Sequence, residues 1–261
     1  MLVGCRLFTQ MLLVSSSIPK RAITAYSLSM NRQIASNTLR LKSTKTTESA
    51  NQDGLRPQLP PLVVIGDREL MSPCPPFDFD ASKSVGERNG NSIDILRQCQ
   101  KKYGGIGIAA CQVGWRTRIF CMGIEEEDES ARARYPDAPT FPFQVWINPT
   151  ITPLLEMGTS WFWEGCLSVP GMRGWVERPN CVRISGWNED GEYIDGMLLK
   201  GLPARVAQHE YDHLEGILFP GRSFPGTLLP VASFEMQDRW PDNWPTPGAR
   251  ATNPGSFSNI R

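Results

Sequence analysis

The apolar positions of this chain change period several times. A β-branched run at 62–65 ends at Gly66-Asp67, which predicts a short strand and a turn. Residues 71–76 hold three prolines and must be extended. Ile93, Leu96 and Cys99 recur at helical spacing after Ser92, a candidate cap, and the pattern stops at Gly104-Gly105. Strands are predicted at 118–124, at 143–148 and, beyond Pro149, at 150–155. Residues 175–185 and 192–199 predict a hairpin around Asn188-Glu189-Asp190-Gly191, and 217–219 a last strand. Between them Leu202, Val206, His209 and His213 form one helical stripe, with Pro203 in its first turn and Gly216 at its end. Residues 125–142, acidic and then rich in Arg and Pro, predict a long solvated loop.

The stripe at 202–213 carries chemistry. His209 and His213 are the only histidines in the chain, and four-residue spacing stacks both imidazoles on one helix face, where they can meet one metal ion. Glu210 lies about 100° around the helix, within reach of a water on such an ion. Two imidazoles do not complete a catalytic site, which takes a third protein donor and leaves one position for water. Cys166, after Gly165, is the best candidate, because a thiolate with two imidazoles is a known catalytic donor set. Cys74, Cys99, Cys111, Cys121 and Cys181 compete by residue type, and spacing alone does not select among them.

In residues 105–114 small residues alternate with isoleucines around one polar side chain, Gln112. The stretch lacks the third glycine of a dinucleotide fingerprint and the Lys-Ser/Thr of a phosphate loop. Taken alone, it favours a structural hydrogen bond for the Gln112 amide inside a tight turn.

A formal net charge of zero argues against a broad electrostatic grip on nucleic acid. Seven cysteines in 261 residues suit reduced thiols better than a disulfide scaffold. The first acidic residue is Glu48, preceded by Arg6, Lys20, Arg21, Arg32, Arg40, Lys42 and Lys45 among many serines. This start predicts an organelle transit peptide and linker over 1–55. The short apolar run at 11–14 leaves a secretory signal as the other reading and is too short to span a bilayer. Composition assigns 56–238 to the folded part and 239–261, rich in Pro, Gly, Asn and Ser, to a disordered tail.

Three separated stretches together resemble the peptide deformylases. Gly105-Ile106-Gly107-Ile108-Ala109-Ala110-Cys111-Gln112 is similar to that family's GxGxAAxQ, Glu164-Gly165-Cys166-Leu167-Ser168 to its EGCLS, and Gln208-His209-Glu210-Tyr211-Asp212-His213 to its QHExDH. Order and separation agree, and weaker similarity spans 62–224. The long spacer before the cysteine motif and the N-terminal extension look like those of eukaryotic organellar members. The resemblance implies an α+β fold, antiparallel sheets around a central helix carrying the two histidines. It implies Cys166, His209 and His213 as metal ligands, Glu210 as general acid/base, Gln112 and the backbone N–H of Leu167 as oxyanion donors, and Gly107 beside the substrate channel. It implies one divalent ion, ferrous iron natively and replaceable by zinc. The activity it implies is removal of the formyl group from the N-terminal formyl-methionine of newly made organellar proteins. The partners are then nascent chains, with transient ribosome association, no specific nucleic acid and no membrane span; the compartment is the mitochondrial matrix, or a plastid. Cys111 stands where the family often has proline or threonine.

Two other readings use the same residues. A zinc-type endopeptidase shares the helix motif but leaves the Cys166 stretch unexplained, and Glu215 is too near on the same helix to be a third donor. A non-catalytic binder of formylated chains would not need Glu210. For the N-terminal stretch, a fluorescent protein fused behind residues 1–55 is expected to accumulate in an organelle; a diffuse cytosolic signal would refute the transit reading.

Overall fold

The computed structural model describes residues 59–79 and 85–252. The transit-peptide call therefore lies outside the described residues, as does the tail call for 253–261. The fold is α+β: helix α1 (Val85–Tyr103), β1 (Gly107–Ala109), β2 (Ile119–Ile124), the short α2 (Glu129–Arg134), β3 (Phe141–Pro153), β4 (Thr159–Cys166), β5 (Val169–Pro179), β6 (Cys181–Trp187), β7 (Tyr193–Lys200), α3 (Gly201–Leu214) and β8 (Leu229–Pro230). One antiparallel sheet runs β1-β2-β3-β6-β7 and a second runs β4-β5-β8. Helix α3 packs against strands of both. No helix among the described residues is long and apolar enough to cross a membrane.

Helix α3 follows from its stripe. Leu202, Val206 and His213 are buried, together with Ala204, Ala207 and Leu214. Gly216, at φ 70°, closes the helix, and its N–H bonds the His213 carbonyl at 3.1 Å. A Cβ at Gly216 would stand 2.7 Å from the Ser72 backbone, so glycine is required by conformation and by space.

The structure departs from the sequence reading at several elements, each for a local reason. Residues 62–65 pair with no strand; two single bonds hold them, Val63 N–H to the Gln112 carbonyl at 2.8 Å and Ile65 N–H to the Ser168 carbonyl at 2.7 Å. Ser92 lies inside α1, which begins at Val85. Pro149 does not stop β3. A bulge falls between Ile147 and Thr150, and Asn148 takes φ 48°. The Asn148 side chain makes this possible, accepting from Phe77 N–H at 2.7 Å and donating to the Phe77 carbonyl at 2.9 Å. The hairpin around 188–191 is β6-β7, while 175–179 belongs to β5 and pairs with β4. Residues 217–219 form no strand; a 3-10 turn runs Phe219–Gly221.

The loop at 125–142 is not simply solvated. Asp128 caps α2 by accepting from Ala131 N–H at 3.0 Å, and Ala131 and Ala138 are buried. The part of the expected tail that is described is packed as well. Ala249 is fully buried beside Trp163 and Trp175. Trp163 Nε1 donates to the Ala249 carbonyl at 3.1 Å, and Trp175 Nε1 to Thr246 Oγ1 at 2.8 Å. Composition misled here because Trp161, Trp163 and Trp175 of β4 and β5 supply the apolar surface on which Trp240 and Trp244 of the segment pack.

Removing residues 245–261 would leave the buried Trp163 N–H without its partner. The shortened protein is expected to lose about 1–3 kcal/mol of stability from that donor alone. Denaturant midpoints of the two chains, compared side by side, check this; equal midpoints would refute the packing role.

Candidate metal centre

Strand β4 ends at Cys166, and the two-residue turn Leu167-Ser168 leads directly into β5. This hairpin delivers Cys166 Sγ to the face of α3 that carries His209 and His213. Donor atoms of the three residues lie within 4.8 Å of one another. Cys166 Sγ is 3.2 Å from His213 Nε2. Cys166, His209 and His213 are the three groups that would hold a divalent ion here. The donor set of one soft sulfur and two imidazole nitrogens also suits a zinc- or iron-type ion.

Electrostatics points the same way. Burial opposes the Cys166 thiolate, but the imidazoles of His213 and His209 outweigh it and hold the pKa well below the ordinary thiol value. Burial likewise disfavours a charged His209, yet hydrogen bonds to Cys166 and Glu164 raise its pKa well above the usual range. A thiol held toward its thiolate form is the sulfur form that binds metal.

Glu164 orients this centre. It is buried and ionised, because Arg178, His209 and Arg205 overcome the burial that opposes its charge. Arg178 grips it with two bonds, Nε to Oε1 at 2.7 Å and Nη2 to Oε2 at 2.9 Å; Arg205 Nη1 adds a third at 2.6 Å. His209 Nδ1 lies 3.1 Å from Glu164 Oε2. An ionised carboxylate only accepts, so Nδ1 carries the proton and Nε2 is left for the donor site. Arg178 Nη1 also reaches Asp212 Oδ2 at 2.9 Å, and Arg222 holds Asp212 at 2.6 and 3.1 Å.

Glu210 is buried, and burial pushes its carboxyl up to about 7 against the pull of the two imidazoles. Its Oε2 has no hydrogen-bond partner among the described residues. A carboxyl poised near neutrality with one oxygen unclaimed fits a proton carrier for a water at the metal site. Gly107 makes room for it: a Cβ there would stand 2.8 Å from Glu210 Cδ.

Gln112 sits in the 3-10 turn Ala110–Val113. Its Oε1 accepts from Ala109 N–H at 2.8 Å, so the structural bond expected from the sequence is present. Its Nε2 faces the centre, 3.1 Å from Ser168 Oγ and 3.5 Å from Cys166 Sγ. One amide therefore ties the turn and presents a donor. Gly107, Gln112, Leu167, Cys166, His209 and Glu210 all border one cavity, of about 70 Å³. Its apolar lining includes Ile106, Phe162, Leu202 and Val206. Trp146 is buried in the core and does not line it.

The sequence reading left Arg178, Arg205 and Tyr135 without a role. Tyr135 comes from 125–142 and borders the cavity. Arg205 had a legible signal: a guanidinium four residues before His209, on an inward stripe, needs a buried anion. Arg178 had none, because its pairing depends on the β4-β5 register.

An α+β fold that gathers a cysteine sulfur, two imidazoles and a buried carboxyl at one cavity has the parts of a single-metal hydrolase. Comparison narrows the class. The family model for polypeptide deformylase matches residues 59–224, and the chain belongs to that family. Peptide deformylase 2 of Ralstonia nicotianae is 40% identical over 168 residues, covering 62% of this chain and 85% of the relative. Peptide deformylase of Leptospira biflexa is 45% identical over 161 residues, covering 59% and 87%. Among solved structures, a class I type b peptide deformylase from Acinetobacter baumannii with Met-Ala-Ser bound is similar, with TM-score 0.55 and 32% identity over 63% of this chain and 98% of that one. A peptide deformylase from Synechococcus elongatus in complex with actinonin gives TM-score 0.54 and 30% identity over 71% and 89%.

Of the six cysteines described as free, Cys166 alone joins the two histidines in the three-donor cluster found among the described residues. Cys166→Ala is expected to abolish tight metal binding and Cys111→Ala to preserve it. Metal-to-protein ratios of the two variants check this; equal loss in both would mean that the donor is misassigned.

Proposed function

We propose that this chain hydrolyses the formyl amide at the N-terminal formyl-methionine of newly made polypeptides, releasing formate and a free α-amine. The observation that carries the reading is Glu210 Oε2, buried and without a hydrogen-bond partner among the described residues, beside the Cys166-His209-His213 donor set. A bound divalent ion would acidify a water and polarise the formyl oxygen. Glu210 takes the proton of the attacking water and returns it to the departing amine nitrogen. Gln112 Nε2 and the backbone N–H of Leu167 act as donors to the oxygen that becomes negative as the carbonyl carbon turns tetrahedral. Gly107 keeps Glu210 close to the reacting carbon. A formyl carbon carries only hydrogen on its far side, so a narrow site excludes internal peptide bonds. The cavity volume, at about 10–15 Å³ per water-sized group, suits one unbranched apolar side chain such as methionine.

Ferrous iron is the native ion in this reading, with zinc able to replace it, because thiolate and imidazole donors suit both. Metal analysis after anaerobic purification decides between them. The basic, acid-free start supports import into the mitochondrial matrix, or a plastid, where nascent chains met transiently at the ribosome would be the substrates. The endopeptidase reading is weaker. It needs a downstream third donor, and Glu215 is engaged elsewhere, accepting from Arg118 at 2.6 Å.

Formate release from a formyl-Met peptide tests the function. Glu210→Gln is expected to keep metal and fold but lose nearly all turnover, since the amide fills the same space without carrying a proton. Loss of metal in that variant, or normal turnover, would refute the proton-carrier role.

Gln112→Leu is expected to keep the metal and lower kcat by roughly 10²–10³-fold, the usual effect of removing one oxyanion donor. It should also lose about 1–3 kcal/mol of stability, because Ala109 N–H loses its acceptor. Measuring kcat and Tm on one preparation separates the two effects. A destabilised variant with near-normal kcat would leave only the structural role.

A further inference from the structure

We infer that Tyr135 is a specificity-determining residue: its ring, at the mouth of the cavity, packs against the side chain of the residue that follows formyl-methionine and favours an aromatic one there. The inference rests on the deformylase reading. Among the described residues of 125–142, Tyr135 alone lines the cavity, and its backbone is tied on both sides. Its N–H bonds the Ala131 carbonyl at 2.7 Å, and its own carbonyl accepts from Ala138 N–H at 3.2 Å. Ala131 and Ala138 are buried, and Arg132 Nη1 donates to the Ala138 carbonyl at 2.7 Å. The Tyr135 side chain is half-buried against the larger core. A wall held in this way loses little freedom when a ligand touches it, so the contact is not cancelled by an ordering cost.

The residues that line the cavity divide by exposure. Phe162, Leu202 and Val206 are buried, whereas Ile106, Leu167 and Tyr135 are half-buried, so these three stand where the cavity meets solvent. The buried part receives the methionine side chain, and the rest of a polypeptide leaves through the mouth. Successive side chains of an extended peptide point to opposite sides. The second side chain therefore turns away from the β4 and α3 residues that receive methionine. The facing side of the mouth is built by Ile106 and the segment that leaves β2, which are joined where Gly123 N–H bonds the Ile106 carbonyl at 3.0 Å. Tyr135 belongs to that segment. A second aromatic ring laid against it gains roughly three- to tenfold in affinity over a residue without one.

The test uses the full chain loaded with zinc and two substrates, formyl-Met-Phe-Ser and formyl-Met-Gly-Ser. The ratio of their kcat/KM values is expected to favour phenylalanine. Tyr135→Ala should lower that ratio roughly three- to tenfold. The change should fall on KM more than kcat, because the contact is as strong before the transition state as in it. Tyr135→Phe should hold the ratio, since the ring and not the hydroxyl makes the contact. A native chain without the preference, a Tyr135→Ala variant that keeps it, or an equal loss in Tyr135→Phe would overturn the inference. Calorimetric affinities for the products Met-Phe-Ser and Met-Gly-Ser keep it apart from the deformylase reading. A chain that binds the first more tightly, loses that difference in Tyr135→Ala and yet releases no formate would fail the deformylase reading and leave Tyr135 as placed. Equal affinities for the two products in the native chain would overturn the placement.

Discussion

The arrangement of β4, β5 and α3 hangs on one buried carboxylate. Glu164 comes from β4, Arg178 from β5, and Arg205 and His209 from α3. Burying an ion costs several kcal/mol even after relaxation, so such a group is kept only where charged partners surround it. Here the carboxylate and its partners lie on three different elements, and the requirement to satisfy Glu164 fixes their mutual placement. Asp212 extends the same logic: it takes up the remaining face of Arg178 and ties in Arg222 beyond the helix. Removing Arg178 would leave two buried carboxylates short of a cation at once. The ion network therefore specifies geometry more than it adds net stability. The geometry it specifies is the direction of His209 Nε2.

Apolar packing does the complementary work. The five-stranded sheet and α3 share the larger core, with Phe120, Met122, Trp146 and Ile184 buried under the helix face that carries Leu202 and Val206. Into this core the chain sets one ionisable group with an unclaimed oxygen, Glu210, opposite a residue with no side chain, Gly107. The burial that fills the core also raises the Glu210 pKa, so packing tunes the reactive group. Cys166 and Gln112 reach the same spot from a hairpin turn and a 3-10 turn, both short and rigid, so the centre needs no long loop to assemble.

Much of this could be read along the chain. The stripe of Leu202, Val206, His209 and His213 is periodic, and Gly216 ends it for reasons visible in residue type, so α3 appeared where expected. Cys166 was not selected by spacing; its place depends on a hairpin bringing two distant segments together, and the deformylase resemblance supplied what periodicity lacked. Pro149 shows the converse. A proline inside a strand pattern reads as a stop, but Asn148 absorbs the irregularity through bonds to Phe77, 71 residues away. Residues 239–252 read as unstructured because their apolar partners belong to β4 and β5. The Arg178 and Glu164 pairing was invisible for the same reason: register, not local composition, decides it.

The indole cluster has an optical consequence. Five of the eight tryptophans, Trp161, Trp163, Trp175, Trp240 and Trp244, gather on one side of β4-β5, with Trp163 and Trp175 ring centres 5.0 Å apart and Trp240 and Trp244 5.1 Å apart. The intrinsic fluorescence of this protein is therefore weighted toward one face of the sheet that bears Cys166 and Glu164. At such separations the rings exchange excitation, so an emission change reports water reaching the cluster as a whole and not one ring. Loosening of 239–252 would shift that emission to the red before the five-stranded sheet had opened, giving an internal optical record of the order in which the two halves of the fold come apart.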